Sequence, residues 1–195
     1  MQLDYDFFKV EEDNLAPRKG RILISEPLLN DSYFKRSVVF ITEYTKEGSV
    51  GFVLNKPINM NIKDVISDFP DFNTTIYVGG PVSKDTIHYI HTVGELIPDS
   101  MHVKDDIYWG GDFDKVKELI REGLISSDQI RFFLGYSGWS PNQLDEEIES
   151  NAWLVSEVEG NKIMRPDTNL WKEILLELGS QYRIWINCPE NPAMN

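Results

Sequence analysis

Two hydrophobic periods alternate along this chain, and the residues that punctuate them mark out its elements. Gly20 to Ser25, GRILIS, is apolar and β-branched and predicts a strand; Pro27 and the polar residues behind it end the run. Asp31 to Lys35 predicts a single helical turn. RSVVFITEY and SVGFVLN predict a hairpin joined across Thr45 to Gly48 and closed by Lys56-Pro57. Asn61 is placed to cap a short helix, because Ile62, Val65, Ile66 and Phe69 share one helical face before Pro70 stops it. TTIYVGGPV predicts a strand ending in a Gly-Gly-Pro turn, and TIHYIHTV, bulky at successive positions, a strand covered on both faces. Met101 to Tyr108 predicts a further hairpin arm. Trp109-Gly110-Gly111 then turns the chain into a helix capped by Asp112, with Val116, Leu119 and Ile120 inward and Gly123 at its end.

The densest pattern runs from Ile130 to Val155 and predicts strand, tight glycine turn, helix and second strand. Ser140 stands at the expected N-cap, Pro141 at the first helical position and Gln143 three residues after the cap, which is the spacing of a capping box. Asp145, Glu146 and Glu147 follow, favourable against the helix dipole. WLVSEVEGNKIMR predicts a hairpin or strand turning at Gly160-Asn161. Asp167 or Thr168 opens a helix with the stripe Leu170, Trp171, Ile174, Leu175 and Leu178, ended by Gly179; YRIWINC predicts a last strand or extended segment, and PENPAMN a surface tail. Hairpins interspersed with helices predict an α+β fold, not a regular doubly wound sheet. No repeat or linker divides the chain, so a single domain over 20–195 is expected, preceded by an N-terminal extension over 1–19. In that extension Tyr5, Phe7 and Phe8 can dock as a short helix.

Charge changes the functional picture more than composition does. Against 32 acidic residues stand 19 basic ones, a net charge of −13, and the basic residues form no strip longer than the scattered Arg18, Lys19 and Arg21. Such a field repels phosphate backbones and argues against nucleic acid. No apolar run reaches membrane-spanning length, no leader opens the chain, and Cys188 is the sole cysteine; together these predict a cytoplasmic protein without a disulfide framework or cysteine metal cluster.

Candidate chemistry concentrates at glycine turns. Gly135-Tyr136-Ser137-Gly138-Trp139 invites comparison with a nucleophile elbow, but Trp139 occupies the place of the second glycine, so simple turn geometry competes with a nucleophilic Ser137. Free N–H groups after Ser140 could hold an anion, in competition with capping by Ser140 and Gln143. Gly79-Gly80-Pro81 and Gly110-Gly111-Asp112 lack the glycine spacing of a P-loop or dinucleotide fingerprint. If the turns at Gly79, Gly80, Gly110 and Gly111 converge with Tyr136, Ser137, Gly138 and Trp139, they rim a ligand cleft, and that is the favoured site. His88 and His91 point to opposite faces of the expected strand, which disfavours a joint metal site. Asp105, Asp106, Asp112 and Asp114 could hold a hard cation, with a solvated loop and a helix cap as the plainer account. Lys56 and Arg36 are open between ligand contact and ordinary solvation or pairing.

GRILISEPLLNDSYFKRSVVFI, GSVGFVLNKP, YVGGPV, WGGDF and FFLGYSGWSPNQLDEEIESNAWLV resemble the YqgE/AlgH family of bacterial proteins, over nearly everything from Gly20 to the last helix. The resemblance implies an α+β domain with a branched, partly barrel-like, mainly antiparallel sheet surrounded by helices. Members carry the label of transcriptional regulator without an agreed biochemical activity. Many relatives have a Cys and a His after the RSVV strand, where this chain reads Thr42, Glu43 and Tyr44; a redox or metal role resting on that pair is not carried over. The leading expectation is a cytoplasmic, non-catalytic binding or regulatory protein with no cofactor, acting through a protein partner or small ligand. A hydrolase using the cleft near Tyr136 and Trp139 is the alternative, and a DNA-binding regulator a second one opposed by the charge. Exposed strand edges would allow a homodimer.

Overall fold

The computed structural model describes residues 14–189. The expected docking of Tyr5, Phe7 and Phe8 and most of the PENPAMN tail lie outside the described residues. Residues 14–19 run beside the edge of the sheet, where Asn14 Oδ1 accepts from the Val155 N–H at 2.8 Å.

The GRILIS run forms β1 (Ile22–Ser25), and the predicted hairpin forms β2 (Val38–Thr45) and β3 (Gly48–Val53). Between β1 and β2, Asp31 to Lys35 make one turn, closed by Lys35 N–H to Asp31 O at 2.8 Å. A two-residue strand, β4 (Pro57–Ile58), leads to α1 (Ile62–Val65), whose Asn61 and Asp64 form a full capping box. Next come β5 (Ile76–Val78), β6 (Val82–His91), β7 (Met101–Lys104) and β8 (Ile107–Trp109). α2 (Phe113–Arg121) is capped by Asp112 and buries Val116, Leu119 and Ile120, as its periodicity predicts. β9 (Ile130–Trp139), α3 (Gln143–Glu149), β10 (Trp153–Ser156), α4 (Gly160–Met164), α5 (Leu170–Leu178) and α6 (Arg183–Asn187) complete the described chain.

The sheet runs β10-β1-β2-β3-β9-β6-β8-β7, with β4 and β5 off this path. Its pairs are antiparallel except β5 with β9. β9 is the branch point. Along one edge its residues 132–134 pair with β5 and its residues 137–139 with β3; the other edge pairs with β6 from His91↔Ile130 to Val82↔Tyr136. The α+β class and the branched sheet stand as expected. The sheet stays open, with β10 and β7 at its ends, and does not close into a barrel.

Three apolar clusters fill its faces. The largest packs Phe40, Phe52, Phe133 and Tyr77 against Trp171, Ile174, Tyr182 and Trp185 of the C-terminal helices. The second joins α1 and α2 to Phe132 and Tyr89, and the third joins α3 to Trp139 and Trp153. Each fully buried large side chain of this kind stabilises the fold by roughly 1.5–3 kcal/mol.

Several expectations are corrected. No glycine turn interrupts Gly135 to Gly138; β9 runs through it for 10 residues because both its edges are paired there. Helix α3 starts at Gln143, with Asn142 at φ +64° as its N-cap, two residues after Ser140. Half of the expected box survives, the Ser140 N–H donating to Gln143 Oε1 at 3.0 Å. Gly160-Asn161 opens a helix instead of a hairpin: Ile22↔Ser156 is the last pair on β10, so the chain beyond has no ladder to continue. YRIWINC is helical as well. Tyr182 and Trp185, three residues apart, are turned together into the large cluster, a spacing that only a helical backbone puts on one face.

Candidate functional site

A backbone crossing explains half of the glycine motif. β5 lies along one edge of β9 and β6 along the other, so the three residues between them, Gly79-Gly80-Pro81, must pass over β9. They do so at Gly135 to Ser137. A Cβ on Gly79 would stand 2.1 Å from the Gly135 carbonyl oxygen, and one on Gly80 2.3 Å from the Tyr136 carbonyl carbon. Only glycine allows that approach. Gly135 itself has φ +70° and lies under the bulge that shifts the β6 register between Val82 and Ile87.

Ser137 is consumed in the same crossing. It is completely buried, and its hydroxyl donates to Gly79 O at 2.9 Å. That carbonyl also accepts from the Val53 N–H at 3.0 Å, while the Gly79 N–H donates to Leu134 O at 2.9 Å. The bridge, β3 and β9 are thereby stitched together at the fork of the sheet.

Tyr136 and Trp139 differ by an odd number of strand positions and so face opposite sides of β9. The Trp139 indole lies in the third cluster, stacked on Phe34 and edge-on to Trp153. Its Nε1–H donates to Glu147 Oε2 at 2.9 Å, and the same oxygen accepts from Trp153 Nε1–H at 2.8 Å. Tyr136 packs on the other side, edge-on to His88, which in turn lies beside Phe52. Burial holds the His88 imidazole below its ordinary pKa.

Above the crossing lies an open groove of about 410 Å³. Tyr136, Gly138, Val50 and Val82 line it, and the Trp139 backbone with Pro141 closes one end. Glu43 and Glu47, from the β2–β3 hairpin, stand at its rim, and among the described residues neither carboxylate pairs with a cation. Tyr44 points away from it: its hydroxyl donates to Asp145 Oδ1 at 2.7 Å, which pushes the phenol pKa up to about 12. Thr42 is buried in β2, its hydroxyl donating to Val50 O at 3.3 Å.

The structure therefore packs Gly79 and Gly80 onto Tyr136 and Ser137 at the crossing, but of the expected rim residues only Tyr136, Gly138 and Trp139 line the groove, and Gly110 and Gly111 lie apart. The His91 Nε2 lies 3.0 Å from Gly110 O, and the Tyr89 hydroxyl donates to Gly111 O at 2.7 Å. His91 pairs with Ile130, six residues from Tyr136 and so ~20 Å down the strand. Gly111 belongs to a separate cleft with Phe113, Tyr89 and Ile87. The expected convergence of all three turns is corrected on this point: the hairpin arm β7–β8 delivers Gly110-Gly111 to the far end of β6.

The other sequence candidates find structural partners. Asp112 accepts from the N–H groups of Asp114 and Lys115 as a helix cap. Among the described residues no three His, Cys, Asp or Glu side chains are grouped to hold a metal ion. Lys56 Nζ donates to Ser32 O at 2.8 Å, with its pKa lowered by burial. Arg36 donates to Cys188 O and lies 5.3 Å over the Trp171 ring. Burial raises the Cys188 thiol pKa, which disfavours the reactive thiolate. Sequence reading missed the acidic rim, because no local pattern shows that the β2–β3 hairpin abuts the end of β9. It also missed Arg131, a charge inside the apolar run IRFFL that was itself a visible signal.

Comparison with known proteins agrees with this architecture. The sequence model of the AlgH-like family matches residues 22–183. A "UPF0301 protein" of Bacteroides thetaiotaomicron is 43% identical over the full length of both chains. One of Chlorobium limicola is 38% identical, covering 95% of this chain and 98% of its own. Among solved structures, a Corynebacterium diphtheriae protein superposes with a TM-score of 0.71 at 22% identity, covering 91% of this chain and 94% of that one. The AlgH protein of Pseudomonas aeruginosa does so with 0.70 at 24%, covering 90% and 97%. These two likenesses speak for the fold alone. Sequence match and fold together lead to one conclusion: the chain belongs to the AlgH-like family, whose biochemical function is not established.

Proposed function

We propose that the protein is a non-catalytic binding module of the cytoplasm, taking a basic segment of a partner protein into the groove over the β3–β9 junction. The observation that carries this reading is the groove's make-up. It has an aromatic floor in Tyr136, apolar walls in Val50 and Val82, and two rim carboxylates, Glu43 and Glu47, without a basic partner among the described residues. An aromatic face beside uncompensated acids suits a lysine or arginine flanked by apolar side chains. The net charge of −13 steers such a partner inward.

The hydrolase alternative draws no support from Ser137, whose hydroxyl is buried and bonded to a carbonyl. The DNA-binding alternative is opposed by the acidic rim as well as by the net charge.

Native mass spectrometry on protein purified gently from its host tests the proposal. A stoichiometric protein partner is expected, lost when Glu43→Lys and Glu47→Lys reverse the rim and weakened by Tyr136→Ala, with unfolding midpoints unchanged for the rim variants. A bound metabolite in place of a partner, or a partner retained at full occupancy by the charge-reversed protein, overturns it.

A further inference from the structure

Arg131 stands where the sequence has least reason to keep a charge. It lies in β9 within Ile130-Arg131-Phe132-Phe133, a run covered on both faces, and is only 3% exposed. A buried guanidinium ordinarily meets a carboxylate, since an uncompensated charge away from water is costly. Here, among the described residues, none pairs with it. One terminal nitrogen donates to Ile163 O and the other to Leu54 O at 2.6 Å. The guanidinium lies 4.3 Å over the Tyr77 ring and 5.5 Å from that of Phe133. The Nε–H is buried and has no acceptor.

Carbonyl oxygens and ring faces solvate a cation but carry no net charge, so this corner of the protein remains positive inside an acidic molecule. Burial lowers the Arg131 pKa only to about 10, which leaves the group charged at neutral pH. The same arginine borders a cavity of about 170 Å³ that opens to the surface between the lead into β5 and the end of α4. That is room for several waters or for one compact solute. Its mouth is lined by Asn73, Thr74, Thr75 and Ser127, which bring three hydroxyls and an amide within one small opening. Tyr77 stands with Arg131 at the back.

We infer that this cavity is a binding site for a small oxyanion, a phosphate or carboxylate group, held by Arg131 at the back and by the Thr74, Thr75 and Ser127 hydroxyls at the mouth. The carrier is a compact molecule, because the cavity, walled by Met164 and Pro166, encloses about 170 Å³. Tyr77 favours the charged guanidinium in part, and an anion there supplies the full negative charge that no carboxylate among the described residues brings, accepting from the remaining guanidinium protons. The site is separate from the groove beside Tyr136: Arg131 lies five positions down β9 from that residue, ~16 Å at the strand rise.

The test is a titration of the isotope-labelled full chain by ¹H–¹⁵N NMR at neutral pH, with inorganic phosphate and with acetate in parallel. Sodium chloride at matched ionic strength is the control. Saturable shifts at Thr74, Thr75, Ser127 and the Arg131 Nε–H are expected for at least one anion; a phosphate response assigns a phosphorylated ligand and an acetate response a carboxylate. Arg131→Lys, which keeps the charge and loses the planar fork, is expected to weaken that binding about tenfold. Because Arg131→Lys could itself impair folding, the double variant Thr75→Val, Ser127→Ala at the exposed mouth is read beside it, again with an expected loss of about tenfold. Shifts no larger than the chloride control in the wild-type chain, or an unchanged affinity in the mouth variant, overturn the assignment.

Discussion

Replacing Gly79 by alanine should be among the most damaging single-methyl changes this fold can suffer. The added Cβ would stand 2.1 Å from the Gly135 carbonyl oxygen, against the ~3.3 Å of a normal carbon–oxygen contact. The two backbones must therefore part by about 1 Å. Three hydrogen bonds of 2.9–3.0 Å converge on Gly79, from the Ser137 hydroxyl, from the Val53 N–H and to Leu134 O, and a shift of that size takes all three beyond bonding range. At ~1 kcal/mol each, with ~1–3 kcal/mol for the overpacking itself, the loss comes to roughly 4–6 kcal/mol. Set against a total stability of ~5–15 kcal/mol, that brings the protein close to unfolding, or lowers Tm by about 10–20 °C. Ser137→Ala is the control. It removes one of the three bonds and leaves the Gly79 carbonyl paired with Val53, so it should cost only about 1 kcal/mol. Urea unfolding followed by tryptophan emission measures both. If Gly79→Ala costs less than about 1 kcal/mol, the crossing is not what demands glycine there, and the reasoning fails.

Three further outcomes are expected. Glu147→Ala should destabilise by about 3 kcal/mol because one carboxylate oxygen serves two buried indoles, while Glu147→Gln, which keeps an acceptor, should lose about 1 kcal/mol; equal losses for the two would refute the shared bond. Burial holds both His88 and His91 below 6.5, the latter despite its bond to Gly110, so the unfolded chain binds protons first. Their contribution to stability is therefore complete above pH ~6.5 and falls away as the pH drops below it, and a histidine NMR midpoint above 6.5 in the folded protein would contradict this. Tyr44 should ionise near pH 12 by ultraviolet titration, and Asp145→Asn should bring it back towards 10; no change in that variant would remove the carboxylate as the cause.

Where a local pattern carries its own physics, the sequence was readable. The Asn61 cap and the Asp112 cap with its apolar stripe mark the starts of α1 and α2 locally, although α1 ends at Val65 with Ile66 extended, short of the Phe69 that its apolar face predicts. The Ile163-Met164 and Trp185 segments were not readable as helices, because what decides them is the end of the β10 ladder and the large cluster waiting on one side. The same distinction governs the site. Tyr136 and the Gly79-Gly80 pair could be singled out from residue type. That Trp139 faces the opposite side follows from strand parity, once the glycine turn is recognised as a continuous strand. The separation of Gly110-Gly111 from the crossing, and the approach of Glu43 and Glu47, depend on pairings between distant segments, which no window of sequence contains.

The branch at β9 also sets an order of events during synthesis. β3, β5 and β6 all emerge from the ribosome before the one strand that joins them, and β1 waits still longer for β10. Until Trp139 has left the exit tunnel, the nascent chain holds strand edges with nothing to pair against and a Gly-Gly-Pro bridge with nothing to cross. Such a chain gains little by folding piecemeal and exposes aggregation-prone segments while it waits. The β1-β2-β3 and β6-β8-β7 segments thus have no native connection until β9 arrives, and a ribosome stalled before residue 130 releases a fragment whose two half-sheets are unjoined.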